Sequence, residues 1–357
     1  MSLGISLKRR AFTPNIPTRL ISGTFLEDRK INNPDSLNSG YIVIHGVPHD
    51  RIDETARWLK PINDERNSRN IEQVERLNAL LPAGILDPID FERDVYPLSE
   101  AASGGSITER HILFALAKKI IETLGKGSPA VEFVSKRLGI ELPAKIEGFL
   151  LDAGNPHYAY DLLGVLKGSM VQGFYVQPNE KECPHAAQAV KYANSIGAIP
   201  AYSYLGDVAE SPTGDKKAEK FEDDYLDEMV PLMKELGFRA ITYMPPRNTL
   251  EQLRRLQKLC LANGFMQISG VDINSSRQVF RCPEIMMPDF SHLIDSTWAL
   301  IAHEHLASVD PDFAFFNPAG KFAHFGLDER LKIYAEAGRK MDLKNPEKII
   351  EHIRRVK

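Results

Sequence analysis

Cysteine is scarce: Cys183, Cys260 and Cys282 are the only three in 357 residues. An odd number at wide spacing makes neither a disulfide framework nor a thiolate zinc site. Structural thiols in a reducing, cytoplasmic compartment are therefore expected. Long hydrophobic runs are also missing, since no apolar stretch approaches the ~18 residues needed to span a bilayer. Lys8, Arg9 and Arg10 make a basic start, but no apolar region follows as a secretory signal requires. Nor is there an excess of one charge. A net charge of −4 on a chain of this length gives no electrostatic reason to expect nucleic acid. Walker loop, dinucleotide fingerprint, nucleophile elbow and paired-cysteine zinc signature are all absent, which leaves no nucleotide cofactor motif.

Apolar residues make up 43% of the chain, enough for a sizeable core. The length suits one large α/β domain with an insertion, or two domains. Strands are predicted at 20–26 and 41–45. From residue 53 to about 81 the pattern turns helical, with Arg66, Arg69, Glu72 and Arg76 interleaved among Ile71, Val74 and Leu77. A second helix starts at Thr108, and Ser128-Pro129 opens a third with Ser128 as its cap. Residues 51–145 thus read as a helical module between N-terminal strands (1–50) and a main α/β portion (146–357). In that last part, short strand candidates at 148–152 and 173–177 precede a regular alternation. Helices near 184–195, 219–236 and 249–262 lead into strands at 198–204, 240–244 and 265–269. Gly197, Gly237 and Gly264 stand between helix and strand, where a left-handed C-cap belongs. Such units build a parallel sheet. The pattern alone leaves closed barrel and open sheet undecided, and the short repeat favours a barrel.

Active sites of parallel α/β folds lie in the loops leaving the C-terminal strand ends. Here those loops are polar. Asp207 follows one strand, Arg247 and Asn248 the next, and Asp272, Asn274 and Arg277 the last. On one rim they would suit a small anionic or phosphorylated ligand, with Lys216 and Arg110 as further cations. Each also has a plainer role open to it. Asn248-Thr249 fits a helix cap, Asp207 fits a turn, and Arg110-His111 fits a surface pair. Asp272, directly after a buried strand and a glycine, is the sharpest candidate.

His303-Glu304-His305 closes a helical pattern, but residues two apart on a helix point about 200° apart and cannot share an ion. A solvated histidine at the helix end fits it equally well. His157, in Gly154-Asn155-Pro156-His157, is a better metal candidate through neutral imidazole. His45 and His49 bracket a loop after a strand.

Several segments together resemble the polymerase and histidinol phosphatase (PHP) superfamily, in its phosphoesterase branch with a helical insertion. Glu65-Arg66-Asn67-Ser68-Arg69-Asn70 and Thr108-Glu109-Arg110-His111 are similar to that insertion. Ala198-Ile199-Pro200-Ala201-Tyr202 takes the place of the strand ending in Ala-His-Pro, and Ser269-Gly270-Val271-Asp272-Ile273-Asn274 that of the late Gly-Ser-Asp-x-His motif. The resemblance runs in the same order over roughly two thirds of the chain. It implies a distorted TIM-like barrel of mainly parallel strands and a divalent metal (Mn, Fe or Zn). Asp272 carries over as a ligand, with Asn274, Glu27 and His157 beside it. Tyr202 stands where a ligand histidine belongs, and the family's opening His-x-His strand has no counterpart. These departures imply missing N-terminal strands or an altered metal site. The implied activity is a metal-dependent hydrolase of phosphoesters. The alternatives are a catalytically lapsed scaffold binding an anion or a protein partner, and a metal-independent lyase or isomerase using Lys216 or Lys217. A homo-oligomer is left open.

Overall fold

In a computed structural model of the chain, the residues described are 15–19, 28–33, 37–208, 220–271, 273, 275–278, 281–342 and 344–354. Strands β1 (Asn15–Arg19) and β2 (Ser39–His45) come first. Five helices follow without a strand: α1 (Ile52–Leu80), α2 (Glu109–Leu124), α3 (Ser128–Glu132), α4 (Ala144–Leu151) and α5 (Tyr158–Phe174). The alternating part is α6 (Ala186–Ser195), β3 (Ile199–Ser203), α7 (Leu226–Glu235), β4 (Ala240–Tyr243), α8 (Leu250–Asn263) and β5 (Met266–Ser269). Helices α9 (His292–Val309), α10 (Leu327–Arg339) and α11 (Ile349–Ile353) complete it. Among the described residues no helix is long and apolar enough to cross a membrane.

The strands form one mixed sheet in the order β1-β2-β3-β4-β5. The expected parallel arrangement holds for β3, β4 and β5, whereas β1–β2 and β2–β3 are antiparallel. Gly197, Gly237 and Gly264 all have positive φ between helix and strand, as their spacing predicts. Among the described residues the sheet is open, with β1 and β5 at its edges, and does not close into a barrel. Strand alternation sends successive side chains to opposite faces. Ile42, Ile44, Tyr202, Ile241 and Tyr243 pack with α6, α7 and α8, together with Leu59 and Ile62 of α1. Ile199, Ala201, Ala240, Met266 and Ile268 pack against α9, α10 and α11. Burial on both faces explains why these strands read as short apolar runs.

A separate core joins the second half of α1 (Val74, Leu77) to α2, α3, α4 and α5. Two predicted strands belong to it as helices. Residues 148–152 fall on α4 and its C-cap, and 173–177 begin at the last turn of α5. In α5, Leu162, Leu163, Leu166, Met170 and Phe174 are buried at helical spacing. A five-residue apolar run cannot by itself separate a strand from a buried helix. The expected strand at 20–26 lies outside the described residues. Gly127, with φ 84°, caps α3, so Ser128 and Pro129 are its first helical residues.

The polar stretch of α1 lies between its two apolar ends. Arg66 donates to Glu182 Oε1 at 3.0 Å, and Arg69 donates to both Glu182 oxygens at 2.6 and 2.9 Å. Arg69 also reaches Glu109 at 3.0 Å and the Val176 carbonyl at 3.1 Å. Glu182 is only 2% exposed, so its desolvation is compensated by two guanidinium groups.

Helices α9 and α10 approach closely at Gly338, where a Cβ would overlap the Trp298 carbonyl oxygen. Arg339 pairs with Asp295 across the same contact. Gly338→Ala is expected to destabilise the chain by about 1–3 kcal/mol through overpacking, read as a lower urea midpoint with an unchanged slope. An unaltered midpoint would mean that the two helices part without cost.

Candidate functional site

The loops leaving β3 and β4 are bonded into one polar cluster. Arg247 Nε and Asn248 Nδ2 both donate to the Leu205 carbonyl, at 3.2 and 2.8 Å. Asp207 Oδ1 accepts from the Phe221 amide at 2.6 Å, and its own amide donates to Asp223 Oδ2 at 3.0 Å. Gln252 Nε2 bridges the Asp207 carbonyl and Asp223 Oδ2. Tyr204 donates to Asp223 Oδ1. Between them sits Gly206, φ 69°, where any Cβ would overlap Asn248 Nδ2 and the Tyr204 hydroxyl. Asp207, Arg247 and Asn248 therefore come together. Capping falls to Thr249, which forms a capping box with Gln252, while Asn248 holds the neighbouring loop.

Beneath this loop lies Glu222, fully buried. Its Oε1 accepts from the Leu205 amide at 2.8 Å and the Tyr202 hydroxyl at 3.1 Å, and among the described residues its Oε2 has no partner. Burial pushes the Glu222 carboxyl up to about 7. Burial likewise raises Asp207 and the Tyr204 phenol. Glu222 was not singled out by sequence, because Glu222-Asp223-Asp224 reads as a solvated charge run at a helix start. Tyr202 turns toward Glu222 on the α7 face, away from the face covered by α9.

The loop leaving β5 takes another course. Gly270 N donates to the Tyr243 carbonyl at 2.9 Å. Further along, Arg277 grips Asp161 of α5 with two bonds of 2.7 and 2.8 Å, and its guanidinium lies 3.9 Å from the Phe149 ring centroid. His157 Nδ1 is hydrogen-bonded to Ser276 Oγ at 2.8 Å. Against the burial that opposes it, Arg277 and Asn155 hold the Asp161 carboxyl below its usual range. Arg277 is thus engaged with the helical layer rather than standing free on the rim beside Asp207. Asp272, Asn274, Glu27, Lys216 and Lys217 lie outside the described residues. Arg110 occupies the first turn of α2, where His111 accepts from the Thr108 amide at 3.1 Å as the capping partner.

On the α9 face, His45 Nε2 and Thr242 Oγ1 are 2.8 Å apart, and the Ser203 hydroxyl is buried without a partner among the described residues. Burial lowers the His45 imidazole to about 4, so it is neutral at ordinary pH. His303 is an interior residue of α9, not a solvated helix end. Fully buried, it donates from Nε2 to the Gly46 carbonyl and accepts the Phe315 amide at Nδ1. Glu304 pairs with His49 at 2.9 Å.

Two solved structures are similar to this chain. One is a Bifidobacterium adolescentis protein provisionally assigned as a metal-dependent phosphoesterase, with 16% identity, TM-score 0.42, and 70% of this chain and 67% of that one covered. The other is an amidohydrolase from Chromobacterium violaceum with bound sulfate and no metal, with 14% identity, TM-score 0.39, and 75% and 74% covered. No family model and no curated protein matches the sequence.

Among the described residues no group of three or more His, Cys, Asp or Glu side chains is placed to hold a metal ion. His157 already gives Nδ1 to Ser276, His45 gives Nε2 to Thr242, and Asp207 is bound to backbone. The described residues alone do not make a metal centre.

Glu222 sets a pH signature. Between its ordinary value of 4.5 and about 7, the unfolded chain releases a proton that the folded chain keeps. Stability is lost as pH rises through that window and is flat above it. Glu222→Gln keeps an acceptor for Leu205 and Tyr202 and removes the titration. Relative to wild type, the variant is expected to gain stability from pH 5 to 8, on the order of 3 kcal/mol in total. Urea midpoints measured at both pH values check this, and parallel curves for the two proteins would remove the assignment.

Proposed function

We propose that the chain is a PHP-type, metal-dependent hydrolase of small phosphorylated substrates, working at the C-terminal ends of β3, β4 and β5. The observation that carries the reading is the loop after β5. Ser276 meets His157, and Arg277 meets Asp161, so the chain just beyond Asp272 and Asn274 is fastened beside a histidine. The reading assigns the metal to Asp272, with Asn274, Glu27 and His157 as further ligands. It gives Arg247, Arg110 and Lys216 the task of neutralising substrate charge, with Asn248 and Asp207 orienting the loops. Arg277 acts as a positioning residue for the β5 loop. The open sheet is taken as part of a distorted barrel whose inner face is filled by α9. Residues 51–145 are taken as an inserted helical module between 1–50 and 146–357. The core that α5 shares with α2 supports extending the module through Phe174.

A second reading, a lapsed scaffold that binds an anion without turnover, is favoured by Tyr202. The resemblance asks for a ligand histidine there, yet its hydroxyl is spent on buried Glu222. Metal analysis of protein purified without chelator separates the two readings. Stoichiometric Mn, Fe or Zn with phosphomonoester hydrolysis is expected, both lost in Asp272→Ala. A metal-free protein that stays inactive when all three ions are supplied would leave only the scaffold.

A further inference from the structure

A cavity of about 460 Å³ opens at the opposite end of the strands, where β3 and β4 begin. Its walls come from the turn after β2, the end of α6, the residue before β4, and the loop after α9. Pro48, Ala314, Phe316 and Pro318 supply apolar surface, and Lys191 and Arg239 supply charge. The other polar groups there are already satisfied within the protein. Arg51 pairs with Asp50 and Glu54. Asn194 donates to the Val190 and Gly237 carbonyls, and Ser195 to the Tyr192 carbonyl. Asn317 donates to the Pro311 carbonyl.

Lys191 and Arg239 are different. Among the described residues no carboxylate pairs with either, and Arg239 makes only a 3.5 Å contact with Asn194. A third cation stands close by. Arg239 and Arg330 lie 5.8 and 5.5 Å from the Phe316 ring centroid, and Arg330 has no carboxylate partner among the described residues either. Burial lowers Arg330 from its usual range, and the charge of Arg239 adds to the effect. Like charges gathered around one ring beside an apolar cavity lack a counter-ion that the described residues do not supply.

We propose that this cavity binds a small organic phosphate, its dianion between Lys191 and Arg239 and its apolar body against Phe316 and Pro318. Uncompensated positive charge on two side chains suits a doubly charged group better than a single carboxylate. The guanidinium adds a planar fork for phosphoryl oxygens. The cavity volume is in the range of small-molecule sites. This site is distinct from the candidate site above and does not rest on the hydrolase reading.

Isothermal titration of the full chain with phenylphosphonate, which a phosphoesterase cannot hydrolyse at phosphorus, tests the proposal, with inorganic phosphate in parallel. Phenylphosphonate is expected to bind more tightly than inorganic phosphate, with one equivalent that depends on Lys191 and Arg239. The double variant Lys191→Gln/Arg239→Gln should bind about tenfold more weakly or worse. Lys191→Gln alone, on the exposed side of α6, carries the same direction if the double variant does not fold. Arg247→Gln, at the other end of the strands, removes any binding at the candidate site and should leave this equivalent intact. The proposal is overturned if wild type binds neither probe, or if Lys191→Gln and the double variant bind as well as wild type. Loss of binding in Arg247→Gln alone would move the ligand to the other end and overturn it equally.

Discussion

The buried ion network on α1 is the constraint from which the rest of the arrangement follows. Two arginines and a carboxylate out of water are costly unless nearly every donor and acceptor is used. Here Glu182 accepts three guanidinium bonds, and Arg69 extends the chain to Glu109 and a backbone carbonyl. Such a set tolerates one geometry. It fixes where α1, the first turn of α2 and the segment entering α6 meet. The two apolar ends of α1 can then lie in different cores, and the helical layer keeps a defined position against the sheet.

The polar loops at the strand ends follow the same logic on a smaller scale. Leu205 serves Arg247 and Asn248 through its carbonyl and Glu222 through its amide. Asp223 gathers Tyr204, Asp207 and Gln252. Side chains held by several bonds each are pre-organised, which suits recognition but leaves few groups unengaged. The β5 loop is tied instead to α5, across a different layer. Among the described residues, the loops after β3 and β4 share one set of supports and the loop after β5 has another.

Charge is also distributed along the strands. Asp207, Glu222 and Asp223 cluster after β3, whereas Lys191 and Arg239 stand where β3 and β4 begin. Burial, rather than the neighbouring carboxylates, keeps the proton on Glu222 to about pH 7. The basic end has no such recourse, because guanidinium groups do not give up their protons in proteins.

Periodicity and punctuation alone determined the alternating half of the chain. Strands β3, β4 and β5, the helices before them and the three cap glycines are local features. Apolar spacing and the left-handed cap specify them with no distant partner. The long helix α1 and the start of α2 near Thr108 were legible for the same reason. Tertiary structure decided what short runs and polar side chains became. Residues 148–151, 173 and 174 are helical because a neighbouring helical core was available to bury that stretch of chain, which no window of five residues can register. The fate of each polar side chain depended on what lay across the fold: Arg277 found Asp161, Asn248 found Leu205, and His303 found Gly46 and Phe315. Glu222 is the extreme case. Its sequence neighbours announce a solvated helix start, and only the closing of the β3 loop over it turns an ordinary carboxylate into a buried one.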